Sequence, residues 1–165
     1  MDTAAWIDQH DTMIAQTIRR HGWFIQYVLG GCTSPDCTGE DEDDLPPFAY
    51  TVGMVGLAHP ELVVVGVGMD TSRHLLNDLG ERVRNDEALL PGRMLTFAGW
   101  SHRVIPELLP NPGEIVLEAN RFYRRPPEHS VPALQLGYDD RDGRFPWEEG
   151  HLRPDLQPRP GTWRA

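Results

Sequence analysis

The chain contains no lysine, and all 15 of its basic residues are arginine. That excludes a Schiff-base lysine and a P-loop lysine. Fifteen planar guanidinium groups suit carboxylate or phosphate recognition, yet uniform arginine usage is also what GC-rich coding produces. Cysteine is scarce. Only Cys32 and Cys37 occur, too few for a secreted disulfide scaffold. No apolar run approaches the roughly 20 residues that span a bilayer. The opening stretch MDTAAWIDQHD has neither the basic nor the apolar region of a secretory leader. These absences lead to the expectation of a cytoplasmic protein with no membrane partner. Three catalytic signatures are also missing. There is no G-x-S-x-G, no S-x-x-K is possible without lysine, and G-x-G-x-x-G is absent. Positive charge is in the minority: the formal net charge is −10, which repels phosphate backbones and argues against a nucleic-acid partner.

What is present describes a globular chain. Hydrophobic residues make up 39% and charged residues 24% of 165 positions. A chain of that length buries a core of its own without metal or disulfide. The expected organisation is one domain over residues 1–150, with an acidic mobile loop at 30–47 and a Pro-rich tail at 151–165.

Apolar spacing predicts a first helix over residues 3–21, capped by Asp2 or Thr3 and ended by Gly22. A second helix carries Leu75, Leu76, Leu79 and Val83 on one face, with Asp70 as its cap. A third starts at Asn111-Pro112-Gly113-Glu114, where Asn, Pro and Glu occupy favoured starting positions, and runs to about Tyr123. Strands are predicted at Trp23–Leu29, Phe48–Val55, Glu61–Val67, Arg93–Ala98, His102–Leu108, Ala133–Tyr138 and Arg144–Trp147. Leu62 to Val65 is apolar throughout, as in a central strand covered on both faces. Pro106 confines its strand to an edge. Beyond Gly150, Pro154, Pro158 and Pro160 forbid regular structure and leave an extended or disordered arm. Strands in runs, with helices between them, predict an α+β fold. Its sheet is mostly antiparallel or mixed, of about six to seven strands, with three helices.

Several groups could carry chemistry. Cys32 and Cys37 could bind metal, act in redox chemistry or form a local disulfide, but no histidine lies at zinc-finger spacing and no metal site is expected. The run Glu40 to Asp44 lacks the spacing and glycine of a calcium loop and reads as a solvated segment. Arg121, Arg124 and Arg125 with Phe122 and Tyr123 could stack on bases, but helix-end solvation fits the overall charge better. His74 and His102 are isolated signals that read as surface or packing residues. His59-Pro60-Glu61, between two strands, offers more: a histidine and a carboxylate at strand ends can form a general base and its orienting partner, though a surface turn explains them too.

Three segments together carry a family likeness: Phe48-Ala49-Tyr50-Thr51-Val52-Gly53-Met54, His59-Pro60-Glu61-Leu62, and Asp142-Gly143-Arg144-Phe145-Pro146-Trp147-Glu148. Ala133-Leu134-Gln135-Leu136 precedes the last, and His21-Gly22-Trp23 leads into the first strand. Over roughly residues 10–150 the chain resembles the domain-of-unknown-function 4262 family of bacterial proteins. The resemblance implies no particular activity, cofactor or catalytic residue.

The resulting expectation is an accessory protein that binds a small molecule or peptide in a groove near Tyr50, His59, Glu61 and Trp147, with no cofactor. The alternatives are a small hydrolase or isomerase with His59 as general base and Glu61 or Glu148 orienting it, and an interaction module presenting Phe145 and Trp147. The oligomeric state is not encoded in any recognisable pattern.

Overall fold

The computed structural model describes residues 2–30 and 45–165; Cys32, Cys37 and the run Glu40 to Asp44 lie outside the described residues. Helix α1 spans Thr3–His21. Asp2 caps its start, and Gly22, at φ 96°, closes its end by donating to the Ile18 carbonyl. Strands β1 (Phe24–Val28), β2 (Phe48–Val52) and β3 (Glu61–Val65) follow, with a 3-10 turn at Met54–Leu57 before β3. Then come α2 (Met69–Arg84), β4 (Val104–Leu108), α3 (Leu117–Phe122) and β5 (Ala133–Tyr138). Among the described residues the fold is α+β, with three helices and a five-stranded mixed sheet in the order β1-β2-β3-β5-β4, in which β3 and β5 form the one parallel pair.

Both faces of the sheet are covered, which accounts for the unbroken apolar run of β3. Phe48, Tyr50, Val52, Val63 and Val65 point to one face, where Ile14 of α1, Ala119 of α3 and Trp163 of the tail pack on them. Ala49, Leu62, Val64, Leu134 and Leu136 point to the other, under Leu75, Leu76, Leu79 and Val83 of α2. Gly80 lets α2 approach closely: a Cβ there would stand 2.6 Å from the buried Trp23 ring.

Two expected strands do not form, which reduces the sheet to five. Arg93–Ala98 contributes one bridge, Leu95 to Val104, and no ladder. The Arg82 guanidinium takes the Thr96 carbonyl instead. Arg144–Trp147 turns twice. The Asp140 carboxylate accepts the N–H groups of Asp142 and Arg144, and Glu148 accepts that of Phe145. Side chains thereby occupy donors that a strand would have needed.

Pro106 sits on the edge strand β4, as expected. Its carbonyl faces outward and accepts from Gly92, so its missing N–H costs the sheet nothing. The third helix is broken. Pro112–Glu114 forms a 3-10 turn, and α3 begins at Leu117. The Ile115 and Val116 N–H groups both donate to the Pro112 carbonyl, and Val116, at φ −88° and ψ 56°, leaves helical geometry before α3 starts. Asn111 does not cap; its amide donates to Glu114 and to the Trp163 carbonyl. Asp70 lies in the first turn of α2, whose cap is Gly68.

The Pro-rich tail has a single 3-10 turn, Pro154–Leu156, and is otherwise an extended arm held against the sheet. The Gln157 amide pairs with both the N–H and the carbonyl of Tyr138. Arg159 grips Glu107 through two nitrogens, and the Trp163 indole donates to Gln135.

Candidate functional site

The residues singled out from the sequence do not converge. Glu61 is fully buried at the start of β3. Its carboxylate accepts from the Thr51 hydroxyl at 2.6 Å and from the N–H groups of Gly53, Met54 and Val55 at 2.9–3.3 Å. Burial pushes its pKa up to about 7, and those four donors oppose the rise. All its bonding capacity serves to hold the 53–55 turn against β3.

His59 is also buried rather than at the surface of a turn. Its Nδ1 lies 2.8 Å from the Pro60 carbonyl, and its Nε2 accepts from the Leu89 N–H at 3.2 Å. This fixes the Nδ1–H tautomer and occupies the nitrogen a base would use. No ion pair links His59 to Glu61 or Glu148 among the described residues. The Tyr50 ring is buried against α3, where its hydroxyl accepts from the Glu118 N–H at 2.9 Å, and burial raises its pKa.

Trp147 stands apart. It stacks on Phe145 at 4.8 Å, with the Arg159 guanidinium over it, and lies against Gly137 of β5. Glu61 is paired with Ala133, so Gly137 is four residues further along β5, roughly 13 Å at the usual strand rise. Of the aromatic pair, Phe145 is buried and Trp147 is 41% exposed.

A different group does converge, at the carboxyl end of β5, where the tail folds back beside the strand. There the tail also lies close to the end of β3: at Gly66, φ 83°, a Cβ would stand 2.3 Å from the Leu156 carbonyl and 3.0 Å from the Tyr138 hydroxyl.

The resulting groove, of about 460 Å³, is lined by His102, Tyr138, Asp139, Asp140, His151 and Gln157, among others. Asp139 is buried, and its carboxylate is held by the Arg103 Nε at 2.7 Å and backbone N–H at 2.9 Å. The His102 Nδ1 lies 2.6 Å from the Asp139 carbonyl and 3.2 Å from its Oδ1, so Nδ1 carries the proton. Trp100 and Tyr138 pack on the imidazole and set its plane. The remaining nitrogen, Nε2, is left as an acceptor. Burial pushes the Tyr138 hydroxyl up to about 12, so it stays a neutral donor at physiological pH. Burial is the largest single influence on Asp140 and opposes its ionisation, but the N–H groups of Arg144, Leu152 and Asp142, with a smaller push from His151, together lower its pKa.

His151 completes the groove. Both of its ring nitrogens are withdrawn from solvent, and neither has a partner among the described residues. Buried polar atoms of this kind cost roughly 1–3 kcal/mol each when unpaired.

A family model described as a domain of unknown function, DUF4262, matches residues 17–152. The chain belongs to the DUF4262 family. No curated protein and no solved structure matches it. The DUF4262 span includes His102, Tyr138, Asp139 and His151 and stops short of Gln157 and the tail. Sequence reasoning passed over His102 and His151 because the Asp139 bond and the groove arise only from tertiary contacts. The one local signal was the cluster Tyr138-Asp139-Asp140 at the end of a predicted strand. No group of three or more His, Cys, Asp or Glu suited to a metal occurs among the described residues, and among them no helix is long and apolar enough to cross a membrane.

Proposed function

We propose that the protein binds a small polar molecule in the groove at the carboxyl end of β5, between His102 and His151. The observation that carries this reading is the His102 imidazole, whose Nδ1 is held by Asp139 and whose Nε2 has no partner among the described residues, beside the Tyr138 hydroxyl in the same groove. The Nε2 accepts and the neutral hydroxyl donates, so the complementary ligand carries both a donor and an acceptor, as amides, hydroxyacids and polyols do. The groove volume is within the range for small-molecule sites.

A second reading is favoured by the Asp139–His102 hydrogen bond. A carboxylate that orients an imidazole and leaves Nε2 to the groove is the arrangement of a general base, and hydrolase or isomerase chemistry is then assigned to His102 rather than His59. Both readings share one site and separate by turnover.

The test is a thermal-shift screen of small amides, hydroxyacids and polyols, followed by titration of the hits against His151→Ala and His102→Ala. The expected result is hits whose affinity falls at least about tenfold in His102→Ala, equivalent to about 1.4 kcal/mol. Hits that bind both variants as tightly as the parent protein would remove the proposal.

A further inference from the structure

A second groove, of about 600 Å³, lies on the opposite side of the molecule's sheet order, along the edge of β1 that no other described strand pairs with. It runs between the C-terminal turns of α1 and the outer face of α2. Trp23, Ile25 and Tyr27 form its floor, and Arg20, Arg73 and Arg84 stand on its walls.

The hydrogen-bond register states which main-chain groups of β1 face outward. The Gly66 N–H donates to the Pro47 carbonyl at 2.7 Å, so residues 47, 49 and 51 turn their main-chain groups toward β3. By alternation, Phe48, Tyr50 and Val52 turn theirs toward β1. Their register partners there are Val28, Gln26 and Phe24. The N–H and carbonyl groups of Ile25 and Tyr27 therefore point away from the sheet, into the space that the groove encloses.

We infer that this edge accepts an extended acidic peptide, which adds a strand to β1 and places its carboxylates against Arg20, Arg73 and Arg84. Strand addition supplies main-chain hydrogen bonds, and the helices on either side supply side-chain selectivity. Charge decides the occupant. Three arginines and His21 line the groove against one acid, Glu81, in a chain whose net charge is −10. The local ion pairs Arg73–Asp70 and Arg84–Glu81 are exposed or partly so and yield easily to a competing carboxylate. A second copy of this chain is disfavoured because pairing two β1 edges would bring the arginine walls of both copies together.

The test uses a synthetic peptide of alternating Glu and Val, labelled with fluorescein, and a control with Lys in place of Glu. Anisotropy measures binding, and amide hydrogen exchange reads β1. The acidic peptide is expected to bind at least about tenfold tighter than the control, and Arg73→Glu to weaken it at least about fivefold without changing the fold. At saturation the amides of Ile25 and Tyr27 should slow at least about tenfold, while those of Phe24, Gln26 and Val28, bonded to β2, should not change. Three results would each overturn the inference: equal affinity for both peptides, binding without slowing at Ile25 and Tyr27, or amides at those two positions already as slow in the free protein as their neighbours.

Discussion

At the residue scale, the Glu61 carboxylate shows how burial and hydrogen bonding compete. Four donors converge on it, yet loss of hydration outweighs them and lifts the pKa from its ordinary 4.5 to about 7. A carboxyl whose folded pKa exceeds its unfolded value stabilises the protein fully below about 4.5, and that contribution is lost as pH rises through about 7. The lift corresponds to on the order of 3 kcal/mol. Denaturant unfolding between pH 5 and 8 should show stability falling as pH rises across this window. Glu61→Gln should flatten that slope. An unchanged slope would show that Glu61 does not titrate in this range. The same carboxylate explains why His59-Pro60-Glu61 looks like a catalytic pair in the sequence. The residue types are right for chemistry, but backbone groups that no motif can display consume their bonding capacity.

At the scale of elements, what was legible depended on whether local pattern or tertiary contact decided the outcome. Helices α1 and α2 and all five strands follow from apolar period and turn residues. The break before α3 does not, because it depends on where Ile115 and Val116 find the core. The missing strands at 93–98 and 144–147 were lost to side chains that captured the backbone. The tail is the clearest case. Three prolines correctly exclude regular structure but say nothing about order, which comes from the Gln157, Arg159 and Trp163 contacts. Trp163 is buried over Phe48 at 5.1 Å. Trp163→Ala should therefore cost about 3–5 kcal/mol in urea unfolding, as removal of a large buried aromatic does. Trp163→Phe should cost less, since it mainly leaves the Gln135 carbonyl oxygen unpaired. Near-silent substitution in both would mean that the tail is not part of the folded unit.

At the scale of the whole molecule, the sheet separates two sets of polar groups. The start of β3, with His59 and Glu61, is closed and satisfied. The carboxyl end of β5, with His102, Tyr138 and His151, borders an open groove, and the His151 nitrogens lack partners among the described residues. The α+β class and the family were readable from residue patterns. The groove was expected near Tyr50, His59, Glu61 and Trp147; the one lined by His102, Tyr138 and His151 was not readable, because it depends on the tail folding back beside the end of β5. Ligand binding is assigned to that end of β5. The most direct test of that assignment is chemical-shift mapping on protein carrying ¹⁵N-labelled histidine rings, as the hits of the small polar screen are added. The ring nitrogens of His102 and His151 are expected to shift in proportion to occupancy while those of His59 stay still. Shifts confined to His59, with His102 and His151 unmoved, would contradict it.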